Sequence, residues 1–228
     1  MSDRPILVTG GSGQVASALA AASDAVRRLG RPAFDFDHPE QMEAAIRSAR
    51  PAVVVNAAAY TAVDAAESDH ETAFRANRDG PARLAGLCAA MGVPLIHIST
   101  DYVFDGTKGT PYTEDDPVSP SGVYGASKLA GEQAVLASGA RAIVLRTAWV
   151  HHHTGKNFVR TMLAAGKVRD RLTVVADQKG CPTAATDLAD AILAIAARLR
   201  DGWQESYAGV FHAAGSCDAS SGNCSNPT

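Results

Sequence analysis

Apolar residues in this chain gather in short runs without alternating polar positions. Strands that helices cover on both faces of a sheet have this pattern. Four runs predict such strands: PILVTG at 5–10, AVVVNAAAY at 52–60, VPLIHISTDYVF at 93–104 and ARAIVLRTAWV at 140–150. Stretches rich in helix formers predict helices at 13–22, 39–49, 70–92, 124–138, 151–166 and 187–200.

The alternation of strands and helices predicts an α/β fold, a Rossmann-type doubly wound parallel sheet, which we assign to residues 1–150. The alternation is less regular afterwards. A helix, a short strand at 172–177, a loop at 178–183 and a last helix predict a small, incomplete substrate lobe at 151–216. Residues 217–228 are rich in Ser, Gly, Asn and Cys without periodicity, so we expect a disordered tail.

The composition narrows the classes of function. With 228 residues, 46% of them hydrophobic, the chain can bury a substantial core. A net charge of -3 argues against nucleic acid or an anionic membrane as the main partner. Apolar runs fall well short of the roughly 20 residues of a membrane helix, which predicts a cytoplasmic protein. The four cysteines lack metal-ligand spacing, so we expect reduced thiols and no metal site.

A glycine turn follows the first predicted strand and opens the first predicted helix. The segment TGGSGQVA gives the spacing Gly10-x-x-Gly13-x-x-Ala16. Glycines at such a turn let the backbone approach a pyrophosphate, and the helix amino terminus offers free N–H groups. A plain tight turn is the alternative, but the position after the first strand favours dinucleotide binding.

The preferred dinucleotide stays open at this point. Asp35 lies about twenty residues after the glycines, where an acid can bind a ribose hydroxyl. Arg27, Arg28 and Arg31 precede it and are candidates for a 2′-phosphate, although for each arginine taken singly a solvent-exposed loop charge is the favoured interpretation. We therefore predict NADPH or NADH.

The segment YGASK places Tyr124 and Lys128 four residues apart on one face of a predicted helix. Free tyrosine has a pKa of about 10, and a neighbouring ammonium lowers it by favouring the phenolate. Tyr124 is therefore a candidate acid, with Lys128 adjusting its pKa. The preceding strand ends in Ser99, Thr100 and Asp101 at the carboxyl edge, where a hydroxyl can bind a substrate carbonyl.

These blocks resemble a known family. TGGSGQVA, NAAAYTAVD, STDYVFDG and YGASK occur in the order found in extended short-chain dehydrogenase/reductases. NAAAYTAVDAAE, RTAWV, GKNFVRTML and VADQKGCPT are similar to the dTDP-4-dehydrorhamnose reductases in particular, and the resemblance spans residues 4–216. It implies reduction of the C4 ketone of a dTDP-hexulose in the synthesis of dTDP-rhamnose for cell wall polysaccharide, with a homodimer as one possible assembly.

The resemblance also implies roles for individual residues. The catalytic residues would be Thr100, Tyr124 and Lys128, with Lys128 also binding the nicotinamide ribose. The substrate would contact Thr100, Asp101, Tyr102 and Trp149. Cofactor contacts would include Tyr124 and Lys128 together with Gly10, Gly13, Gln14, Val15, Asp35, Phe36, Ala57, Ala58 and Tyr60.

Two other functions remain open from the sequence. One is a non-catalytic NAD(P)-binding regulatory protein, similar to the regulatory subunit of methionine adenosyltransferase, and the other is a related nucleotide-sugar epimerase or dehydratase. The family continues with sugar-contacting segments where this chain continues as CDASSGNCSNPT. We therefore expect a shortened substrate lobe and impaired turnover.

Overall fold

The computed structural model describes residues 4–174, 177–216, 218–220 and 223–225. Its centre is a sheet of six parallel strands, ordered β2-β1-β3-β4-β5-β9. The bounds of these strands are β1 Ile6–Thr9, β2 Val26–Leu29, β3 Val53–Asn56, β4 Leu95–Thr100, β5 Ala142–Thr147 and β9 Gly209–His212. Since β1 lies between β2 and β3, the chain reverses its winding direction there, and the crevice for ligands opens at the carboxyl ends of β1 and β3.

Eight helices surround this sheet in the described part of the chain. They are α1 Gln14–Ala22, α2 Pro39–Ala49, α3 Val63–Ala66, α4 His70–Phe74, α5 Gly80–Met91, α6 Val123–Ala137, α7 Phe158–Gly166 and α8 Ala185–Asp201. Apolar residues of α1 and α8 pack on one face of the sheet. Those of α2, α5 and α6 pack on the other. The structure thus confirms the predicted doubly wound parallel sheet.

The helix predicted at 70–92 is interrupted in the middle. A π-helical turn at Arg75–Asp79 separates α4 from α5 and packs against α6. At Gly131 of α6, a Cβ atom would lie 2.0 Å from the Asn77 carbonyl oxygen. The absence of a side chain there lets the two backbones touch, which fixes α6 against the turn.

Two strands of the main sheet were not predicted. The edge strand β2 has the sequence VRRL, whose arginines are exposed, and it therefore lacks the apolar pattern of a central strand. At the other edge, β9 has only partly buried or exposed residues. A prediction based on runs of buried apolar residues misses both strands, because their sequences are too polar or too short.

The lobe after β5 contains small pairs of strands. A parallel pair forms from β6 Val150–His151 and β8 Thr183–Ala184. The prediction of a strand at 172–177 is wrong for residues 172–174 and 177, none of which belongs to a strand. Residues 175 and 176 lie outside the described residues. A β-forming sequence becomes a strand only where a partner edge is available.

Part of the tail predicted to be disordered has regular backbone structure. The strand β10 Asp218–Ser220 pairs antiparallel with β11 Asn223–Ser225 and with β7 Lys179–Gly180. Backbone pairing requires no apolar periodicity, so composition did not indicate it. Residues 217, 221–222 and 226–228 lie outside the described residues. Among the helices described, none is long and apolar enough to cross a bilayer.

Candidate active site

The glycine turn lies at the carboxyl end of β1 and touches the end of β3. Gly10 has φ +90°, and a Cβ atom there would lie 2.7 Å from the Ala57 carbonyl oxygen. Gly13 caps α1 and donates a hydrogen bond from its N–H to the Gly10 carbonyl oxygen at 2.8 Å. Gly10 requires glycine because of its positive φ and its contact with Ala57, whereas a Cβ atom at Gly13 would be crowded, 3.2 Å from the Gly10 carbonyl oxygen.

The same turn fits the pyrophosphate of a dinucleotide. The cap residue Gly13 has no side chain, so no side-chain oxygen accepts hydrogen bonds from the N–H groups in the first turn of α1. That turn also contains no acidic residue. Those N–H groups and the helix dipole favour an anion at this end. Val15 packs against the core below, which holds the turn in place.

The region after β2 contains the acid proposed for the adenosine end. The Asp35 carboxylate pairs with Arg31, with 2.7 Å between Arg31 Nε and Asp35 Oδ2. Arg28 donates to the Gly11 carbonyl oxygen at 3.4 Å and so borders the glycine turn. The Phe36 ring lies directly over Gly80, where any Cβ atom would collide with it. Asp35 is thus already paired with a cation in this structure.

The segment after β3 is held by buried side chains. Thr9 Oγ1 donates to Asn56 Oδ1 at 2.6 Å, and the N–H of Ala58 points at both oxygens at 3.3 Å. Asn77 accepts from the Tyr60 N–H at 2.8 Å and donates to the Tyr60 carbonyl oxygen at 3.0 Å. Residues 57–60 therefore have a defined backbone path past the glycine turn.

Thr100 and Tyr124 meet at the carboxyl end of β4. Thr100 is the last residue of β4, and Tyr124 is the second residue of α6. Burial raises the pKa of Tyr124 to about 12, and a hydrogen bond with the Thr100 side chain offsets part of that rise. The phenol is therefore protonated at neutral pH and adjacent to a hydroxyl group.

Lys128 lies one helical turn further along α6 and is only 2% exposed. Its Nζ donates to the carbonyl oxygen of Ile98 at 2.7 Å. Burial lowers the pKa of Lys128 to about 8, while the charge of Glu132 opposes this fall. The ammonium group is thus anchored below the end of β4.

The structure corrects the expected effect of Lys128 on Tyr124. The sequence predicted a lowered tyrosine pKa, whereas burial raises it, and Asp101 and Tyr102 raise it further. Lys128 is not among the groups that shift it. Spacing along a helix indicates proximity but not desolvation, and here desolvation has the larger effect.

The residues predicted to contact substrate surround this centre on two sides. Thr100 Oγ1 donates to Asp101 Oδ1 at 3.1 Å, and burial raises the pKa of Asp101. The Tyr102 ring packs edge-on against Tyr124 with 5.5 Å between centroids. Trp149 has φ +46° just after β5, and its ring covers Gly180 of β7. Trp149 thus connects the end of β5 with the lobe.

Sequence reasoning missed two buried residues, Asn77 and Asn56, that support the site. Asn77 connects Tyr60 to α6 by donating to Ser127 Oγ at 3.0 Å. Asn56 contacts His97, with 2.9 Å between Asn56 Nδ2 and His97 Nδ1. Nothing local in FRANRDG or AVVVNAAAY distinguishes these residues, because their partners are distant in the chain. Among the described residues, no cluster of three or more His, Cys, Asp or Glu could hold a metal ion.

Comparisons with known proteins agree with this geometry. Residues 4–225 match the family model described as RmlD substrate binding domain. The dTDP-4-dehydrorhamnose reductase of Sinorhizobium fredii is 47% identical over 218 residues, covering 94% of this chain and 74% of that protein. The corresponding protein of Burkholderia thailandensis is 47% identical over 212 residues, covering 91% and 71%.

Solved structures show the same relationship. The crystal structure of dTDP-4-dehydrorhamnose reductase from Bacillus anthracis in complex with NADP has a TM-score of 0.88 and 32% identity, covering 95% of this chain and 76% of that one. A crystal structure from Clostridium acetobutylicum has a TM-score of 0.86 and 35% identity, covering 95% and 76%. This chain belongs to the dTDP-4-dehydrorhamnose reductase family.

Proposed function

We propose that the chain catalyses NAD(P)H-dependent reduction of the C4 ketone of dTDP-4-dehydro-6-deoxy-L-mannose to dTDP-L-rhamnose. The observation that carries the proposal is the position of Thr100, the last residue of β4, and of Tyr124, in the first turn of α6, at the carboxyl edge of the sheet. Ligands of doubly wound sheets bind at this edge. A ketone oxygen placed there can bind both groups at once.

The cofactor site would be built from the turn between β1 and α1 and from the segment after β3. Gly10, Gly13, Gln14 and Val15 would hold the pyrophosphate, with Asp35 and Phe36 near the adenosine and Ala57, Ala58 and Tyr60 along the opposite wall. When bound, the reduced nicotinamide supplies a hydride to the substrate carbon. Lys128 would bind the nicotinamide ribose.

Two protein side chains would stabilise the negative charge that develops on the substrate oxygen. Thr100 would turn its hydroxyl proton from Asp101 to the ketone oxygen, and this hydrogen bond polarises the carbonyl. Tyr124 would then donate its phenolic proton as the oxygen becomes an alkoxide. Its raised pKa keeps the proton in place until that point. The Lys128 ammonium, one helical turn from Tyr124, would act on the nicotinamide ribose and not on the tyrosine proton.

The sugar would lie against residues from both halves of the chain. Asp101 and Tyr102 follow directly after Thr100, while Trp149 approaches from the end of β5. Aromatic rings and a partly buried carboxylate are suited to a polar sugar ring. A cytoplasmic location and a homodimer remain predictions from the sequence.

Incubation of the protein with NADPH and dTDP-4-dehydro-6-deoxy-L-mannose tests the proposal. We expect the nicotinamide absorbance to fall in proportion to the dTDP-L-rhamnose formed. dTDP-glucose, which has no ketone at C4, serves as the control and leaves the absorbance unchanged. Conversion of the ketone without net NADPH consumption would indicate an epimerase or dehydratase instead. NADPH binding with no conversion would indicate a regulatory protein.

A further inference from the structure

A stripe of polar residues runs along the buried face of α6. Tyr124, Lys128 and Glu132 follow at intervals of four residues, which places them on one side of the helix. Lys128 and Glu132 are each 2% exposed. The proposed chemistry uses the first two residues and leaves Glu132 without a role.

Glu132 is held in a buried ion pair with Arg146 of β5. The distances are 3.0 Å from Arg146 Nε to Glu132 Oε1 and 2.8 Å from Arg146 Nη2 to Glu132 Oε2. The guanidinium also lies 5.1 Å from the centre of the Phe104 ring. These hydrogen bonds and the ring contact fix the position of the carboxylate, one helical turn from Lys128 along α6.

The other groups around Lys128 do little to stabilise its ammonium form. The one hydrogen bond described for its Nζ goes to a neutral carbonyl oxygen, that of Ile98. His97 of β4 is fully buried beside it, and burial together with Lys128 holds the pKa of His97 well below its usual value. Neutral neighbours cannot offset the cost of a buried ammonium, whereas a carboxylate one helical turn away can.

Besides Arg146 of β5, which is paired with Glu132, the charged groups described on the elements packed against α6 lie at the surface or act on other residues. The π-helical turn presents the uncharged Asn77 to α6. Its charged Arg78 and Asp79 pair with each other at the surface. Asp101, after β4, acts on Tyr124. Glu132 is therefore the anion that acts on Lys128, in agreement with the direction of its effect.

We propose that Glu132 and Arg146 are positioning residues: Arg146 fixes the Glu132 carboxylate one helical turn from Lys128, and the charge of that carboxylate keeps Lys128 in its ammonium form. The consequence for catalysis rests on the proposed function, in which the ammonium form of Lys128 binds the nicotinamide ribose. The effect on Lys128 itself does not depend on that function.

The test measures the titration of Lys128 by NMR in the full chain labelled with ¹³C at lysine Cε. The chain has only five lysines, at 108, 128, 156, 167 and 179, and Lys128→Met identifies the relevant signal by its loss. Glu132→Gln should lower the pKa of Lys128 by about 1 unit, because it removes the nearby negative charge. The control, Glu43→Gln, removes the acid of the exposed pair Glu43–Arg47 and should leave Lys128 unchanged.

A double variant guards against misfolding. Glu132→Gln leaves Arg146 buried without its partner, so we also measure Glu132→Gln with Arg146→Gln, which removes both charges. Lys128 should still titrate at a lower pH than in the parent, by less than in the single variant. A Lys128 titration that stays at the parent value in the folded double variant would overturn the proposal.

The pH profile of kcat/KM tests whether the protonation state of Lys128 affects turnover. In Glu132→Gln the alkaline limb should move to lower pH by the same amount as the Lys128 titration. A purely structural pair would reduce turnover at every pH without moving the limb, and that result would also contradict the proposal. Lack of turnover in the parent protein would instead contradict the proposed function and leave the NMR test intact.

Discussion

Gln14 in the first turn of α1 accepts a hydrogen bond from Asn157 at the start of α7, with 2.9 Å between Asn157 Nδ2 and Gln14 Oε1. Asn157 also caps α7 by accepting from the Arg160 N–H at 3.0 Å and donates to the His152 carbonyl oxygen at 2.8 Å. A residue beside the glycine turn is thereby linked to the first helix of the lobe. The two parts of the proposed site are mechanically connected through this pair.

A double-mutant cycle measures this connection. Asn157→Ala should lower the free energy of unfolding by about 1–2 kcal/mol, because the helix cap is lost. The coupling energy with Gln14→Ala should be about 0.5–1.5 kcal/mol, the value of one hydrogen bond. Urea denaturation of the four proteins gives both numbers. The control cycle pairs Gln14→Ala with Asp69→Ala, the cap of α4, and should be additive. Additivity at Gln14 and Asn157 would disprove the link.

Two glycine substitutions should have opposite effects on stability. Gly131→Ala should lower the free energy of unfolding by about 1–3 kcal/mol, because the new Cβ atom would overlap the Asn77 carbonyl and separate α6 from the π-helical turn. Gly86 of α5 has open space around it, so Gly86→Ala should raise stability by about 0.5–1 kcal/mol through helix propensity. Thermal or urea unfolding distinguishes the two signs. Equal effects would mean that α6 and the turn are not in contact.

The buried His97 should make the protein sensitive to acid. Burial holds the pKa of His97 well below its usual value of 6.5, so near pH 6 the unfolded chain binds a proton that the folded chain does not. Stability from this group is therefore present above pH 6.5 and is lost as the pH falls, by up to about 1.4 kcal/mol per pH unit. His97→Gln should reduce the slope of unfolding free energy between pH 6.5 and 5. Parallel pH profiles of the two proteins would count against a neutral buried His97.

The local parts of the site were predictable from the sequence, and the long-range parts were not. The glycine turn and the pair Tyr124 and Lys128 lie within single turns or helices, so spacing alone indicates their geometry. The contact of Glu132 with Arg146 joins α6 to β5, and only the folded sheet reveals it. The pKa of Tyr124 also escaped prediction, because it depends on burial by distant segments.

The glycine turn should control cofactor affinity. Gly13→Val adds a branched side chain where a Cβ atom would already lie 3.2 Å from the Gly10 carbonyl oxygen, and it would block the approach of a pyrophosphate. Affinity for NADPH should fall by at least about tenfold, or 1.4 kcal/mol, as measured by calorimetry. Gly109→Val, in a loop with open space, is the control and should bind as the parent does. Unchanged binding by the Gly13 variant would place the phosphates elsewhere.

The central claim is that Tyr124 donates the proton to the substrate oxygen, and a single-turnover experiment tests it most directly. Parent and Tyr124→Phe are preloaded with NADPH, mixed with dTDP-4-dehydro-6-deoxy-L-mannose and followed by nicotinamide absorbance. We predict that Tyr124→Phe binds NADPH with nearly the parent affinity but reduces the ketone about 10²–10⁴ times more slowly, the range for loss of a general acid. Reduction by the Phe variant at the parent rate would contradict the assignment of Tyr124 and the mechanism built on it.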